Sequence, residues 1–105
     1  MIKLLDSKNF ESTLTQNDVV LVDFYADWCG PCRALHPTLE KLASNFDGKA
    51  VISKINVDKN PELAQQLNVR SIPALFYYKN GKLMGQHVGG QSESTLSENL
   101  NRLID

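Results

Sequence analysis

The sequence predicts an α/β domain built around a mixed β-sheet. Short apolar runs of strand length alternate with segments whose apolar residues recur at helical spacing, and no linker, repeat or low-complexity tract interrupts them. The dipeptide Asn80-Gly81 separates two strand-like runs and is a strong β-hairpin signal. A hairpin makes two strands antiparallel, whereas strands joined through a helix are usually parallel. We therefore expect one domain over residues 1–105 in the order β-α-β-α-β-α-β-β-α.

The first half of the chain is expected to hold two strands and two helices. Residues 2–5 form a short apolar run, and residues 7–15 follow it as a short helix. Residues 19–26 are almost continuously apolar, as in a central strand that is covered on both faces. A long helix comes next and ends at Asp47-Gly48. Its apolar residues recur at spacings of three and four: Leu35, Leu39, Leu42, Ala43 and Phe46.

The second half adds three strands and two helices. Residues 50–57 form the next apolar run, and Asn60-Pro61 supplies an N-cap and a first-turn proline for a short helix. The runs PALFYY and LMGQHV flank the hairpin turn. The chain finishes with an amphipathic helix marked by Leu96, Leu100, Leu103 and Ile104. The prediction is thus a sheet of five strands flanked by four helices.

Composition excludes several function classes. Eleven basic and twelve acidic residues give a net charge of −1, which offers no electrostatic footprint for nucleic acid or an anionic membrane. The first ten residues contain no apolar h-region, and no run approaches the ~20 apolar residues of a membrane span. We therefore expect a cytoplasmic protein with reduced thiols, in which a permanent disulfide clip is the less favoured interpretation.

The two cysteines, Cys29 and Cys32, enclose a Gly-Pro pair between a predicted strand and a predicted helix. This position places the first sulfur at a helix N-terminus, where N–H groups and the helix dipole stabilise a thiolate. Gly30 would permit a tight turn, and Pro31 has no N–H to leave unsatisfied in the first helical turn. A Cys-x-x-Cys motif can also be half of a zinc site, and the βαβ context favours the redox interpretation.

The segments VDFYADWCGPC, SIPALFYYKNGK and VGG, in this order, resemble the thioredoxin family over nearly the whole chain. The resemblance implies a mixed five-stranded sheet with the dithiol at the end of its central strand. It implies that Cys29, partly exposed, attacks a protein disulfide, and that Cys32, more buried, resolves the mixed disulfide. The Gly-Pro pair favours a reductase over the oxidase and isomerase relatives, which place a histidine there. It further implies that no cofactor is bound and that NADPH supplies electrons through a separate flavoprotein thioredoxin reductase.

Asp23 is the one charged residue within the apolar run of residues 19–26, so we expect it to be buried. Burial raises the pKa of a carboxyl group, which suits a proton acceptor. The resemblance implies that Asp23 assists deprotonation of the second thiol. It also implies that Lys54 tunes the pKa of this carboxylate. An ordinary charged residue on an exposed strand face is an equally good interpretation of Lys54.

The resemblance also implies a surface for substrate docking. The bond between Ile72 and Pro73 is expected to be cis and to face the dithiol, with the Ile72 backbone pairing with an extended substrate. Trp28, beside the first cysteine, would form a flat apolar docking area. Gly89 and Gly90 would form its third side, where small residues allow close backbone approach, although an ordinary turn is the simpler interpretation.

Several residues depart from the family pattern or have no clear role. His36 lies four residues after Cys32 and shares its helix face, where a charged imidazolium would lower the thiol pKa. A histidine without a task is the simpler interpretation. Pro37 should kink the long helix. Tyr25 stands where many family members have tryptophan, and His87 is assigned nothing.

Two other function classes stay open at this point. One is a binding subunit whose partner docks on the surface around Trp28 and Pro73. The other is a zinc protein, for which Asp23 or His87 would have to complete a set of Cys29, Cys32 and His36. The net charge weakly suggests a monomer. Expected partners are thioredoxin reductase and disulfide-containing proteins.

Overall fold

A five-stranded mixed sheet with four helices forms the fold of the computed structural model, which describes residues 1–105. The strand order is β1-β3-β2-β4-β5, with β1, β3 and β2 parallel and with β4 and β5 antiparallel to their neighbours. The predicted fold and element order are therefore confirmed. The elements are β1 (Lys3–Leu5), α1 (Phe10–Gln16), β2 (Val19–Tyr25), α2 (Gly30–Asn45), β3 (Val51–Asn56), α3 (Pro61–Gln66), β4 (Ala74–Lys79), β5 (Lys82–Val88) and α4 (Glu93–Ile104).

Strand β2 lies at the centre of the sheet, and both of its faces are covered. Leu21 packs in a cluster with leucines of α2 and α4, including Leu39 and Leu96. Phe24 points to the opposite face and packs with Phe10 of α1 and Phe76 of β4. Because side chains alternate along a strand, this double burial explains why the sequence of β2 is almost continuously apolar.

Helix α1 begins three residues later than the sequence predicted. The carboxylate of Asp6 accepts hydrogen bonds from the backbone N–H groups of Lys8 and Asn9 at 2.8 and 3.0 Å. In return, the side chain of Asn9 accepts from the N–H of Asp6 at 2.8 Å. These local bonds hold residues 7–9 in a turn, because Asp and Asn side chains compete with helical hydrogen bonding. The helix then starts at Phe10.

Asn60 occupies the predicted N-cap position of α3, but its side chain makes no capping hydrogen bond. Its oxygen accepts instead from the N–H and hydroxyl groups of Ser7, both at 2.9 Å, and its nitrogen donates to the carbonyl of Asn56 at 3.0 Å. The side chain therefore ties α3 to the loop after β1. Asn60 is thus the N-cap of α3 by position, as expected, but it forms no side-chain capping hydrogen bond.

The hairpin turn follows the sequence closely. Asn80 and Gly81 both have positive φ, 51° and 82°, as the two central residues of a type I′ turn require.

Pro37 lies inside α2, which continues through it as one helix of 16 residues. None of the four helices combines the length and apolar composition that crossing a lipid bilayer requires.

Candidate active site

The two cysteines lie where β2 leads into α2, at the carboxyl end of the central strand. Cys29 is the N-cap of α2, and its Sγ accepts a hydrogen bond from the N–H of Cys32 at 3.2 Å. The two residues form a disulfide with their Cα atoms 5.2 Å apart. Pro31 lies in the first turn of the helix, as expected. A Cβ at Gly30 would contact nothing within 4 Å, and the φ of Gly30 is not left-handed. The expectation that a tight turn requires glycine at this position is therefore not supported.

The expected difference in exposure between the two cysteines is wrong for the disulfide form. Cys29 is 4% exposed and Cys32 is 3% exposed, so neither residue presents much surface to solvent. Both pack with Ala26, and the partly buried side chains of Tyr25 and Ile72 close around them. What distinguishes the two sulfurs is therefore their neighbours rather than their exposure.

Cys29 borders a surface formed by Trp28, Ile72, Pro73 and Gly89, which we call the Trp28 surface. The Cys29 Sγ lies 3.9 Å from the carbonyl oxygen of Ile72. The Ile72–Pro73 peptide bond is cis, as the resemblance implied. The N–H of Gly89 donates to the carbonyl of Pro73 at 2.7 Å, which brings the end of β5 to the same place. Trp28 is 68% exposed at this site.

Glycine at position 89 is explained by the backbone rather than by close packing within the chain. Gly89 has a φ of 99°, in the region that side-chain-bearing residues rarely adopt. A Cβ at Gly89 or at Gly90 would meet no atom of the chain within 4 Å. The space in front of both residues is therefore open.

Asp23 is fully buried, as the sequence predicted, and its carboxylate has no hydrogen-bond partner. It shares the face of β2 with Leu21, two residues earlier, and that face packs against α2, the helix that carries Cys32. Burial raises the pKa of Asp23 to about 7, against a smaller opposing effect from the charge of Lys54. A carboxyl group with this pKa can hold or release a proton near neutral pH.

Lys54 is the register partner of Asp23 on β3, but its ammonium group bonds elsewhere. The Nζ lies 3.2 Å from Nδ1 of His36 and 4.1 Å from the centroid of the Tyr25 ring. The Nε2 of His36 lies 3.6 Å from a carboxylate oxygen of Glu40. His36 therefore has two polar neighbours, Lys54 and Glu40.

A groove of about 380 Å³ opens on the α2 side of the dithiol. It borders Cys32 but not Cys29, and it is separate from the Trp28 surface. Its lining combines basic, acidic and aromatic side chains: Tyr25, Ala26, Asp27, Cys32, Arg33, His36 and Lys54. The two cysteines thus face different surroundings, an apolar surface beside Cys29 and a polar groove beside Cys32.

Asp58 is the site residue that the sequence analysis missed. Its carboxylate accepts a hydrogen bond from the indole N–H of Trp28 at 2.8 Å. Asp58 lies in the turn that follows β3, 30 positions after Trp28. An exposed acidic residue in a turn carries no sequence signal of its own, so only the fold reveals the contact.

The comparison with known proteins agrees with this arrangement. The sequence model of the family described as thioredoxin matches residues 1–102. The chain belongs to the thioredoxin family. It is 44% identical over 98 residues to a thioredoxin of Chlorobaculum thiosulfatiphilum, covering 92% of this chain and 91% of that protein. It is 45% identical over 102 residues to a thioredoxin of Staphylococcus haemolyticus, covering 97% and 96%.

A solved structure shows the same fold. A point mutant of a thioredoxin from Halobacterium salinarum superposes with a TM-score of 0.92 at 38% sequence identity, covering 98% of this chain and 90% of that one. With the Cys-Gly-Pro-Cys pair in place, this member of the thioredoxin family is a thiol-disulfide oxidoreductase with protein-disulfide reductase activity. The alternative of a subunit that only binds a partner is not favoured.

The zinc interpretation finds no support in the geometry. No three side chains among the His, Cys, Asp and Glu residues come together in a way that could hold a metal ion. The ring of His36 is directed to Lys54 and Glu40 instead. His87 lies on β5 in register with Leu75 and takes no part in the dithiol site.

Proposed function

We propose that Cys29 is the attacking thiol and Cys32 the resolving thiol in the reduction of protein disulfides. The thiolate of Cys29 attacks one sulfur of the substrate disulfide, forms a mixed disulfide and expels the other sulfur, which takes up a proton. Cys32 then loses its proton, attacks Cys29 Sγ and releases the second substrate thiol. Two electrons pass to the substrate, and the enzyme is left with the Cys29–Cys32 disulfide.

The observation that carries this assignment is the position of Cys29 Sγ. It caps α2 at the N–H of Cys32 and lies 3.9 Å from the Ile72 carbonyl, at the edge of the Trp28 surface. A helix N-terminus stabilises a thiolate, which favours Cys29 as the nucleophile. Because both thiols belong to one helical turn, resolution is intramolecular and has a high effective concentration.

Asp23 would accept the proton of Cys32 during resolution. Its complete burial and its pKa of about 7 support this role, because a carboxylate with that pKa is a much stronger base than an exposed one. Lys54 would tune the carboxylate through its charge, which lowers the pKa. Gly30 and Pro31 would set the redox potential, since they replace the histidine of the more oxidising relatives.

The substrate would dock on the Trp28 surface as an extended strand. Neither the N–H nor the C=O of Ile72 takes part in a backbone hydrogen bond, so both are free to pair with a substrate backbone. The exposed indole of Trp28 supplies apolar contact, and the open space at Gly89 leaves room for a passing chain.

We further propose a single cytoplasmic domain over residues 1–105 that acts as a monomer. Its oxidised form would be re-reduced by a separate flavoprotein reductase that takes electrons from NADPH, because nothing in the chain is predicted to bind a nucleotide. Reduction by NADPH in the presence of such a reductase, and its absence with NADPH alone, would support this arrangement.

Trapping of the mixed disulfide tests the order of the two cysteines. Cys32→Ser should accumulate a covalent complex with a disulfide-bonded protein such as insulin, because the first step proceeds and the second cannot. Cys29→Ser should accumulate none. The complex is read as a band that dithiothreitol removes on a non-reducing gel. Trapping by Cys29→Ser and not by Cys32→Ser would reverse the assignment.

A further inference from the structure

Asp23 and Lys54 are neighbours that do not pair. They are register partners on the adjacent parallel strands β2 and β3, so their side chains start from the same face of the sheet. The carboxylate of Asp23 is fully buried with no hydrogen-bond partner. A buried carboxylate in this state normally takes the nearest cation. No contact within 4.0 Å joins the Lys54 ammonium to the Asp23 carboxylate; the close contacts between basic and acidic side chains are His36–Glu40 and Glu98–Arg102.

The ammonium of Lys54 is held instead by His36 and Tyr25, at 3.2 Å from Nδ1 and 4.1 Å from the ring centroid. An ammonium group only donates, so Nδ1 must act as the acceptor and the imidazole must be neutral. The proton then lies on Nε2, which faces the carboxylate of Glu40 at 3.6 Å. A charged imidazolium would bring two cations within 3.2 Å of each other. The sequence-based hypothesis of an imidazolium acting on Cys32 is therefore not supported.

We propose that His36 is a positioning residue that keeps the Lys54 ammonium group from pairing directly with the Asp23 carboxylate. Its consequence for catalysis rests on the proposed role of Asp23 as proton acceptor. A cation in direct contact lowers the pKa of a carboxyl group by about 1–3 units. An Asp23 paired in this way would be a weaker base for the proton of Cys32. By offering Lys54 a competing acceptor, His36 preserves the basicity of Asp23.

The other groups around Asp23 leave Lys54 as the cation that can reach it. On β4, the register partner Leu75 does not titrate, and the hydroxyl group of Tyr77 in the same cluster bonds to Gln91 and Asn99. The α4 residues of the cluster are apolar. The remaining titratable and charged groups of this region come from β2, β3, α2 and the turn before α2: Asp23, Tyr25, Lys54, Cys32, Arg33, His36, Glu40 and Asp27. Arg33 does not pair with Asp23, because its guanidinium group donates a hydrogen bond to the carbonyl of Asp27 at 2.7 Å.

The direct test is the titration of the Asp23 carboxyl carbon by NMR in the disulfide form, where neither cysteine titrates. His36→Ala removes the acceptor, and Lys54 should then move onto Asp23. We expect the midpoint of Asp23 to fall by about one pH unit or more. His36→Asn should restore the wild-type midpoint, because its amide oxygen can occupy the place of Nδ1. An unchanged or raised midpoint in His36→Ala overturns the proposal.

Two further variants show whether His36 acts through Lys54. With Lys54→Met as the background, adding His36→Ala should no longer move the Asp23 midpoint, and an equal shift there overturns the proposal. Glu40→Gln keeps the His36–Lys54 contact and should leave the midpoint in place. His36 is 42% exposed on a helix, where alanine is well tolerated, so these variants should fold.

The rate of insulin reduction separates this inference from the proposed function. Asp23→Asn should slow the reaction. His36→Ala should shift the part of the pH–rate profile where the rate rises with pH to lower pH, by as much as the Asp23 midpoint falls. If Asp23→Asn leaves the rate unchanged, the proposed role of Asp23 fails. The NMR midpoints of the His36 variants decide the positioning role in either case.

Discussion

The indole N–H of Trp28 donates a hydrogen bond to the carboxylate of Asp58 at 2.8 Å, although Trp28 is 68% exposed. An exposed side chain that is tied at one end keeps a fixed orientation at little further entropic cost on binding. Asp58 itself is exposed and lies outside the sheet. The contact therefore fixes the orientation of the Trp28 indole from the turn that follows β3.

Asp58→Ala should weaken substrate binding by releasing the indole. A solvent-exposed hydrogen bond contributes about 0.5–1.5 kcal/mol, which corresponds to a rise in KM of about 2–13-fold with kcat nearly unchanged. The measurement is steady-state reduction of insulin. Glu62→Gln is the control, because it removes one exposed negative charge from α3 without touching Trp28. An equal rise in KM for both variants would assign the effect to net charge.

Gly89 and Gly90 form a matched pair for separating backbone strain from steric fit. A Cβ at either position would meet open space, but only Gly89 has a positive φ, 99°. Gly89→Ala should lower the free energy of unfolding by about 1–2 kcal/mol, the cost of a side-chain-bearing residue in that region. Gly90→Ala should change it by less than about 0.5 kcal/mol. Urea unfolding measures both, and equal losses would contradict this explanation of Gly89.

The sequence predicts the framework of this protein well, because the framework depends on local patterns. The continuous apolar run of β2 indicates a covered central strand, and its one acidic residue, Asp23, is indeed fully buried. Asn80-Gly81 identifies the hairpin, since two residues with positive φ are needed there. The Ile72–Pro73 cis bond follows from the family resemblance, whereas the residues alone argue for trans.

The contacts that refine the site could not be predicted, because each joins side chains on different elements. Lys54 and His36 are 18 positions apart, and Trp28 and Asp58 are 30 apart. Such a contact depends on how far α2 is rotated over the sheet and on where the turn after β3 ends. The equal burial of Cys29 and Cys32 was missed for a similar reason, since Ile72 is brought against Cys29 from a distant loop.

The sulfur of Cys29 caps α2, so its replacement should affect stability as well as activity. In Cys29→Ser, the hydroxyl can accept the N–H of Cys32, since serine is a favoured N-cap residue. Cys29→Ala leaves that N–H without its partner and should be less stable than Cys29→Ser by about 0.5–2 kcal/mol. Urea unfolding of both variants under reducing conditions measures the difference. Equal stabilities would mean that a side-chain acceptor at position 29 contributes nothing as a cap.

The buried carboxyl group of Asp23 should make the protein less stable as pH rises. Its folded-state pKa is about 7, raised by burial from an ordinary value of 3.8. Between these two values the folded state binds more protons than the unfolded state, so the free energy of unfolding falls with increasing pH. The loss begins near pH 4, is complete above pH 7, and amounts to about 4 kcal/mol at most.

Asp23→Asn should remove this dependence, because the amide does not titrate. The free energy of unfolding of the variant minus that of the wild type should therefore rise by up to about 4 kcal/mol between about pH 4 and pH 8. This rise is expected whatever the difference between the two proteins is at about pH 4. Urea unfolding of the disulfide form at several pH values gives this difference. Asp27→Asn serves as the control, because it makes the same substitution at an exposed residue. A pH-independent difference for Asp23→Asn would mean that the carboxyl group titrates alike in the folded and unfolded chains, which would also remove the basis for its role as proton acceptor.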